Sequence, residues 1–303
     1  MTSGRAGDVS AARRAHVLTV PDGARITYAR SGAQGARRAM VLLHGAASNM
    51  SRWSEFVAQT SLGESWALLR LDLRGQGRSV HRGRIGMTEW CADLAAILRA
   101  EGLSRAIVVG HCLGANIALQ FASRYPDRVA GAVLIEPMPP GALAGTMRRV
   151  ARLRPLLVAA TVLTRALNAL GLHRRRLAGM DLEQLDRETR AALAAGPQGE
   201  AVLARYASPL ADLRSTPSGA YFQALVAVTA ELPDLTGVAA PVLALLSARG
   251  TFTDPERTRE ALRALPDCEI VELDARHWIP TEQPRAMRAA IEAWVARRFP
   301  SGD

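Results

Sequence analysis

The sequence predicts an α/β fold: a mostly parallel, doubly wound sheet interrupted by one long helical insertion. Three observations predict it. Short, continuous apolar runs recur at residues 39–43, 67–71, 106–109 and 129–135, as expected of strands buried on both faces. Stretches with helical spacing lie between them, the alternation that builds parallel sheets. That rhythm stops from residue 137 to 236 and resumes with two more strand-like runs.

The elements follow in order. Residues 1–15 are polar and basic, without the apolar stretch of a secretory leader. Residues 16–20 and 26–29 alternate like strands joined by the Pro21-Asp22-Gly23 turn. The run 39–43 ends in His44-Gly45-Ala46-Ala47, and a short helix follows near 53–60. The run 67–71 ends in Asp72-Leu73-Arg74-Gly75-Gln76-Gly77-Arg78-Ser79, followed by a helix over 87–100. The run 106–109 leads into Gly110-His111-Cys112-Leu113-Gly114 and a helix to Tyr125. The run 129–135 ends at Glu136-Pro137. Helical patterns then cover 147–171, 182–195 and 221–231, separated by Gly and Pro. Strands at 242–246 and 269–273 flank a helix at 255–265, and a closing helix runs to about Phe299. This gives a core of residues 1–136 and 237–303, with residues 137–236 as a helical lid.

Composition narrows the function classes. Three scattered cysteines (Cys91, Cys112, Cys268) form neither a disulfide framework nor a zinc site. A reducing, cytoplasmic setting is therefore expected. The longest apolar stretch, 155–172, carries Arg165 and Asn168 and is too short and too polar for membrane insertion. Net charge is +10, and every Lys/Arg position is Arg. Residues 141–180 hold eight arginines and no carboxylate, a basic patch suited to an acidic partner. No nucleic-acid motif accompanies it, so nucleic acid is not expected. No phosphate loop, dinucleotide fingerprint or metal-ligand spacing is present, so neither cofactor nor metal is expected.

The chemistry centres on residues 110–114. A strand, a tight Gly-x-Cys-x-Gly turn and a helix lift Cys112 above a sheet edge, at a helix N-terminus that favours a thiolate. A thiol nucleophile needs a neighbouring imidazole to accept and return protons, and His277 in the late Asp274–Trp278 stretch is the candidate base. The acid that orients it is open between two positions. Glu136 follows a strand as a carboxylate after Ala-Val-Leu-Ile, a costly place without a partner. Asp254 lies after the strand 242–246 but opens a helix, where capping explains it. The reading favours Glu136, with Asp254 as the alternative.

The His44-Gly45 pair, the Asp72–Ser79 turn, the Gly110–Gly114 elbow and His277 with Glu282 and Pro284 together resemble the α/β-hydrolase family. That resemblance implies the α/β-hydrolase fold. It also implies an oxyanion hole from the backbone N–H groups of Ala46 and Leu113.

Cysteine in place of the usual serine gives a thioester intermediate, close in free energy to a carrier-bound thioester and a good acyl donor to carbon. A Leu/Ala/Val-rich lid suits an acyl pocket, and its arginines suit an acidic carrier protein. A Cys elbow, an acid just after the next strand, a helical lid and a late His more narrowly resemble the Dieckmann cyclases of tetramate and pyridone pathways. That resemblance implies Cys112 as nucleophile, His277 as base and Glu136 as orienter, although that family's acid is Asp. Competing readings are a thioesterase or ester/lactone hydrolase, an acyltransferase, and a ligand-binding protein without chemistry.

Overall fold

The structure is a computed structural model that describes residues 15–196 and 208–300. The polar stretch at the N-terminus lies outside the described residues up to position 14, as does part of the insertion. The sheet has eight strands: β1 (Ala15–Thr19), β2 (Arg25–Gly32), β3 (Ala39–Leu43), β4 (Ala67–Leu71), β5 (Ala106–His111), β6 (Val129–Ile135), β7 (Val242–Ser247) and β8 (Cys268–Leu273). Their order is β1-β2-β4-β3-β5-β6-β7-β8; β1–β2 and β2–β4 are antiparallel and all other pairs parallel. The mostly parallel, doubly wound expectation is met.

Helices connect the strands: α1 (Ser54–Gln59), α2 (Met87–Ala100), α3 (Leu113–Arg124), α4 (Gly145–Arg152), α5 (Arg154–Ala169), α6 (Leu182–Ala194), α7 (Pro209–Ser215), α8 (Ser218–Val228), α9 (Pro255–Leu262), α10 (Ile279–Glu282) and α11 (Pro284–Arg298). Between β6 and β7 the regular secondary structure of the described residues is helical, apart from an isolated bridge that joins Leu143 to Thr253 beyond β7.

The apolar runs fill both sides of the sheet because successive side chains point to opposite faces. Val41, Leu43, Leu69, Val108 and Leu134 pack with α2 and α3. Met40, Leu42, Leu68, Val109 and Val133 pack with Trp53, Phe56, Ile291 and Trp294 on the other side. Trp294 is fully buried; truncating such a side chain to alanine costs about 3–5 kcal/mol.

Two boundaries differ from expectation for local reasons. The single helix expected over 147–171 is two, broken at Leu153. Pro155 lacks an N–H and crowds the residue before it, so it sits in the first turn of a new helix. The helix α7 was not expected. Ser208 starts it, its side chain accepting from Ala211 N–H at 3.4 Å, with Pro209 in the first turn. No helix among the described residues is long and apolar enough to cross a membrane.

Register places the site. Leu43 pairs with Gly110, His111 with Ile135, and Ile135 with Leu245. The chain therefore leaves β3, β5, β6 and β7 at one level. That brings His44–Ala47, Cys112, Glu136 and Ser247 to one edge of the sheet.

Candidate active site

Cys112 has φ 54° and ψ −115° at the turn from β5 into α3. A β-carbon at position 110 would lie 2.1 Å from the carbonyl oxygen of Gly114. One at position 114 would lie 2.5 Å from that of Leu43. Only glycine fits at either position, so the turn can be this sharp. Among the described residues, the non-glycine residues with positive φ are Ala47, Cys112 and Glu136. All three follow strand ends at the same sheet edge. Each costs about 1–3 kcal/mol, and such strain gathers where a site over-determines the backbone.

His277 is buried between two partners. Its Nδ1 lies 3.3 Å from Oε2 of Glu136, and its other nitrogen is left for the hydrogen bond with Cys112. Burial lowers its pKa, but Sγ of Cys112, and then the Glu136 carboxylate, outweigh that and raise it to about 9. Glu136 is itself fixed: Oε1 accepts the N–H of Ser247 at 2.6 Å. Asn116 on α3 holds the turn beyond it. Its side chain accepts from Met138 N–H at 2.9 Å and donates to Met138 O at 3.2 Å.

Asp254 is not part of this group. Its side chain caps α9, accepting from Arg257 N–H at 3.1 Å. The loop that carries it instead presents Phe252, whose ring meets His277 edge-on at 4.6 Å between centroids. Of the two acids left open by the sequence, Glu136 therefore faces the histidine.

The loop 44–47 lies against Cys112. A β-carbon at Gly45 would stand 3.3 Å from Cβ of Cys112. That brings the segment carrying Ala46 N–H beside the elbow, while Leu113 N–H opens α3 on the other side. His44 anchors the loop. Its Nε2 accepts Leu73 N–H at 3.0 Å, so Nδ1 carries the proton and donates to Gly45 O at 2.8 Å. Burial lowers its pKa to about 4, keeping it neutral. The Asp72 carboxylate braces the same region, accepting from Met50 N–H at 2.7 Å and Arg78 N–H at 2.8 Å.

Three contacts near His277 could not be read from the sequence. His111 donates Nε2–H to the backbone oxygen of His277 at 2.9 Å, and the two rings lie 4.9 Å apart. Burial, and then the neighbouring His277, lower the His111 pKa well below the ordinary value. Glu282 receives the N–H groups of Arg276 and Trp278 at 3.1 Å each, gripping the backbone on both sides of the histidine. Arg52 donates to Asp186 on α6 and to Thr281 at 2.5 Å. This buried ion pair ties the insertion to the segment after His277. An arginine and an aspartate far apart in sequence give no sign that they will meet.

The site is enclosed: Cys112 is 9% exposed and His277 2%. A cleft of about 750 Å³ lies between residues 47–51 and 177–181 of the insertion, with Asp72 and Arg78 in its wall and neither Cys112 nor His277 lining it. No cluster of three metal-binding side chains forms among the described residues.

A sequence profile described as alpha/beta hydrolase fold matches residues 38–284. The dihydrolipoyllysine-residue acetyltransferase component of an acetoin cleaving system from Cupriavidus necator is 30% identical over 44% of this chain and 34% of that protein. The 2-hydroxy-6-oxo-2,4-heptadienoate hydrolase of Pseudomonas putida is 33% identical over 33% of this chain and 38% of that protein. The chain thus spans less than half the length of these relatives. A hydrolase structure from Pseudomonas aeruginosa is similar at TM-score 0.67 and 20% identity, over 96% of this chain and 100% of that one. At that identity the likeness is one of fold.

Proposed function

The chain belongs to the α/β-hydrolase fold family, and from that premise we propose that it works through an acyl–Cys112 thioester. We further propose that it is a Dieckmann-type cyclase, releasing a β-ketoacyl-aminoacyl chain from an acidic carrier protein as a tetramate-type ring. One observation carries the reading. A cysteine occupies the strained elbow, with His277 between it and Glu136.

The steps follow from those positions. Sγ passes its proton to His277, whose raised pKa keeps it there, and attacks the thioester carbonyl. The resulting oxyanion meets the N–H groups of Ala46 and Leu113, each worth roughly 2.7–4 kcal/mol in such sites. Collapse of the adduct expels the carrier thiol, which leaves with the proton from His277. Glu136 holds the imidazole in the orientation that both transfers need. The methylene carbon between the two carbonyls of the bound chain then gives a proton to His277 and attacks the acyl carbon. A carbon–carbon bond forms as the C–S bond breaks, and Sγ regains its proton. An enclosed site favours this internal attack over hydrolysis.

Hydrolysis of a thioester, ester or lactone is the second reading. The hydrolase name of the relative from Pseudomonas putida favours it. The acetyltransferase component among the relatives favours transfer to a separate acceptor instead.

The deciding experiment offers a β-ketoacyl-aminoacyl thioester surrogate and identifies the product by mass spectrometry. A ring that has lost only the thiol, formed by the protein and not by Cys112→Ala, is the expected result. Free acid, heavier by one water, overturns cyclisation in favour of hydrolysis.

A further inference from the structure

Helix α5 is unusual for a helix on a protein surface, because none of its residues is buried. Its inner side packs toward α8, where Thr164 and Asn168 close on Gly219, and Asn168 donates to Arg82 O at 3.2 Å. Its outer side is apolar. Leu156 is 66% exposed, Val162 61%, Leu163 60% and Leu170, just past the helix, 74%. Seven of the ten large exposed hydrophobic side chains among the described residues fall within residues 153–172. Ordinary surfaces scatter such residues singly; a contiguous patch marks something that covers it.

The same segment concentrates positive charge. All eight arginines of residues 141–180 are exposed, and none forms an ion pair with a carboxylate among the described residues. Arg152 and Arg154 stand at one end of the apolar face, Arg165 along its edge, and Arg174 to Arg176 beyond the other end.

We propose that α5 and its flanks are a peripheral docking surface for an anionic lipid interface. The chemistry fits one occupant better than its rivals. A second copy of this chain would bring the same arginines face to face, at a cost in repulsion. An acidic protein would satisfy the arginines but leaves no reason for aliphatic side chains to project on a convex helix. An anionic lipid surface satisfies both, taking Leu and Val into the acyl boundary while the guanidinium groups meet lipid phosphates. At 1.5 Å per residue, the 16-residue helix is about 24 Å long, so it lies on the interface rather than crossing it. The inference stands apart from the proposed reaction and survives if Cys112 never carries an acyl group.

The test is sedimentation of the full chain with phosphatidylcholine vesicles, with and without phosphatidylglycerol. Binding to the anionic vesicles alone is expected, weakening as salt rises. Leu156→Glu/Leu163→Glu reduces that binding by about tenfold, with an unchanged thermal midpoint showing that the variant is folded. Hydrogen exchange on the unmodified chain supplies a second readout that needs no variant. Residues 153–172 gain protection on anionic vesicles. Absence of binding at low salt, or protection confined to other segments, overturns the proposal. Retention by an immobilised acidic acyl carrier protein, with the vesicles ignored, also overturns it and assigns the face to a protein.

Discussion

The carboxylate of Glu136 stands 3.3 Å from Nδ1 of His277, although 141 residues separate them in sequence. The backbone at Glu136 has φ 51°, and Ser247 N–H holds its other oxygen. The strand order explains the meeting. Glu136 directly follows β6, and the neighbouring β7 supplies Ser247.

Replacing Glu136 by Gln keeps the shape and removes the charge. In the proposed mechanism it lowers the rate by about 100- to 10,000-fold, by analogy with loss of the orienting acid in other triads. Asp254→Ala removes a helix cap and costs about 1 kcal/mol of stability, with the rate unchanged. Steady-state rates and thermal midpoints of the two variants check this. A large rate loss at Asp254 alone would transfer the acid's role there.

Cys112 is the thiol that a small electrophile labels near neutral pH. Burial pushes the Cys91 thiol up to about 12 and Cys268 up to about 11, so both stay protonated and slow to react. Limited iodoacetamide treatment followed by peptide mapping places the adduct on Cys112. Cys112→Ala is left unlabelled. Labelling of Cys91 or Cys268 first contradicts the assignment.

Stability depends on pH through the buried histidines. His277, raised to about 9 from an ordinary 6.5, keeps its proton in the folded chain after the unfolded chain has lost it. Its contribution is full below pH 6.5 and disappears as pH rises towards 9. His44, lowered to about 4, works in the opposite sense. Folding must keep it neutral, so stability falls as pH drops below its ordinary 6.5. Thermal midpoints across this range pass through a maximum near neutrality. Cys112→Ala removes the larger of the two influences that raise His277, and the alkaline limb flattens. An unchanged limb in that variant counts against the Cys112–His277 contact.

Arg52 and Asp186 are buried together between core and insertion. Asp186→Ala leaves the guanidinium without that carboxylate and costs about 3–5 kcal/mol. The double change Arg52→Met/Asp186→Leu recovers most of the loss, because a well-packed apolar pair needs no desolvation of charge. Chemical denaturation of the three proteins measures this. Equal destabilisation by the single and double variants would show that the pair's charge matters beyond its burial.

Much of the sheet was legible in the chain because a strand buried on both faces must be apolar throughout. Residues 39–43, 67–71 and 129–135 give β3, β4 and β6 at those bounds. The elbow was legible for a related reason: two glycines in a five-residue turn answer a local steric demand. The insertion was less so. Helices α4 and α5 bury none of their residues, and the break at Leu153 comes from a single proline.

The sequence by itself determined the strands, the sharp turn at Cys112 and the clustering of arginine in residues 141–180. Each is a short-range property of neighbouring residues. Only the tertiary structure decided that Glu136 and not Asp254 faces His277, that His111 and Glu282 grip the histidine's backbone, and that Arg52 meets Asp186. Those pairings depend on strand order and parallel register, which bring distant segments to one sheet edge. A single chain read in order carries no signal of which distant partners will meet.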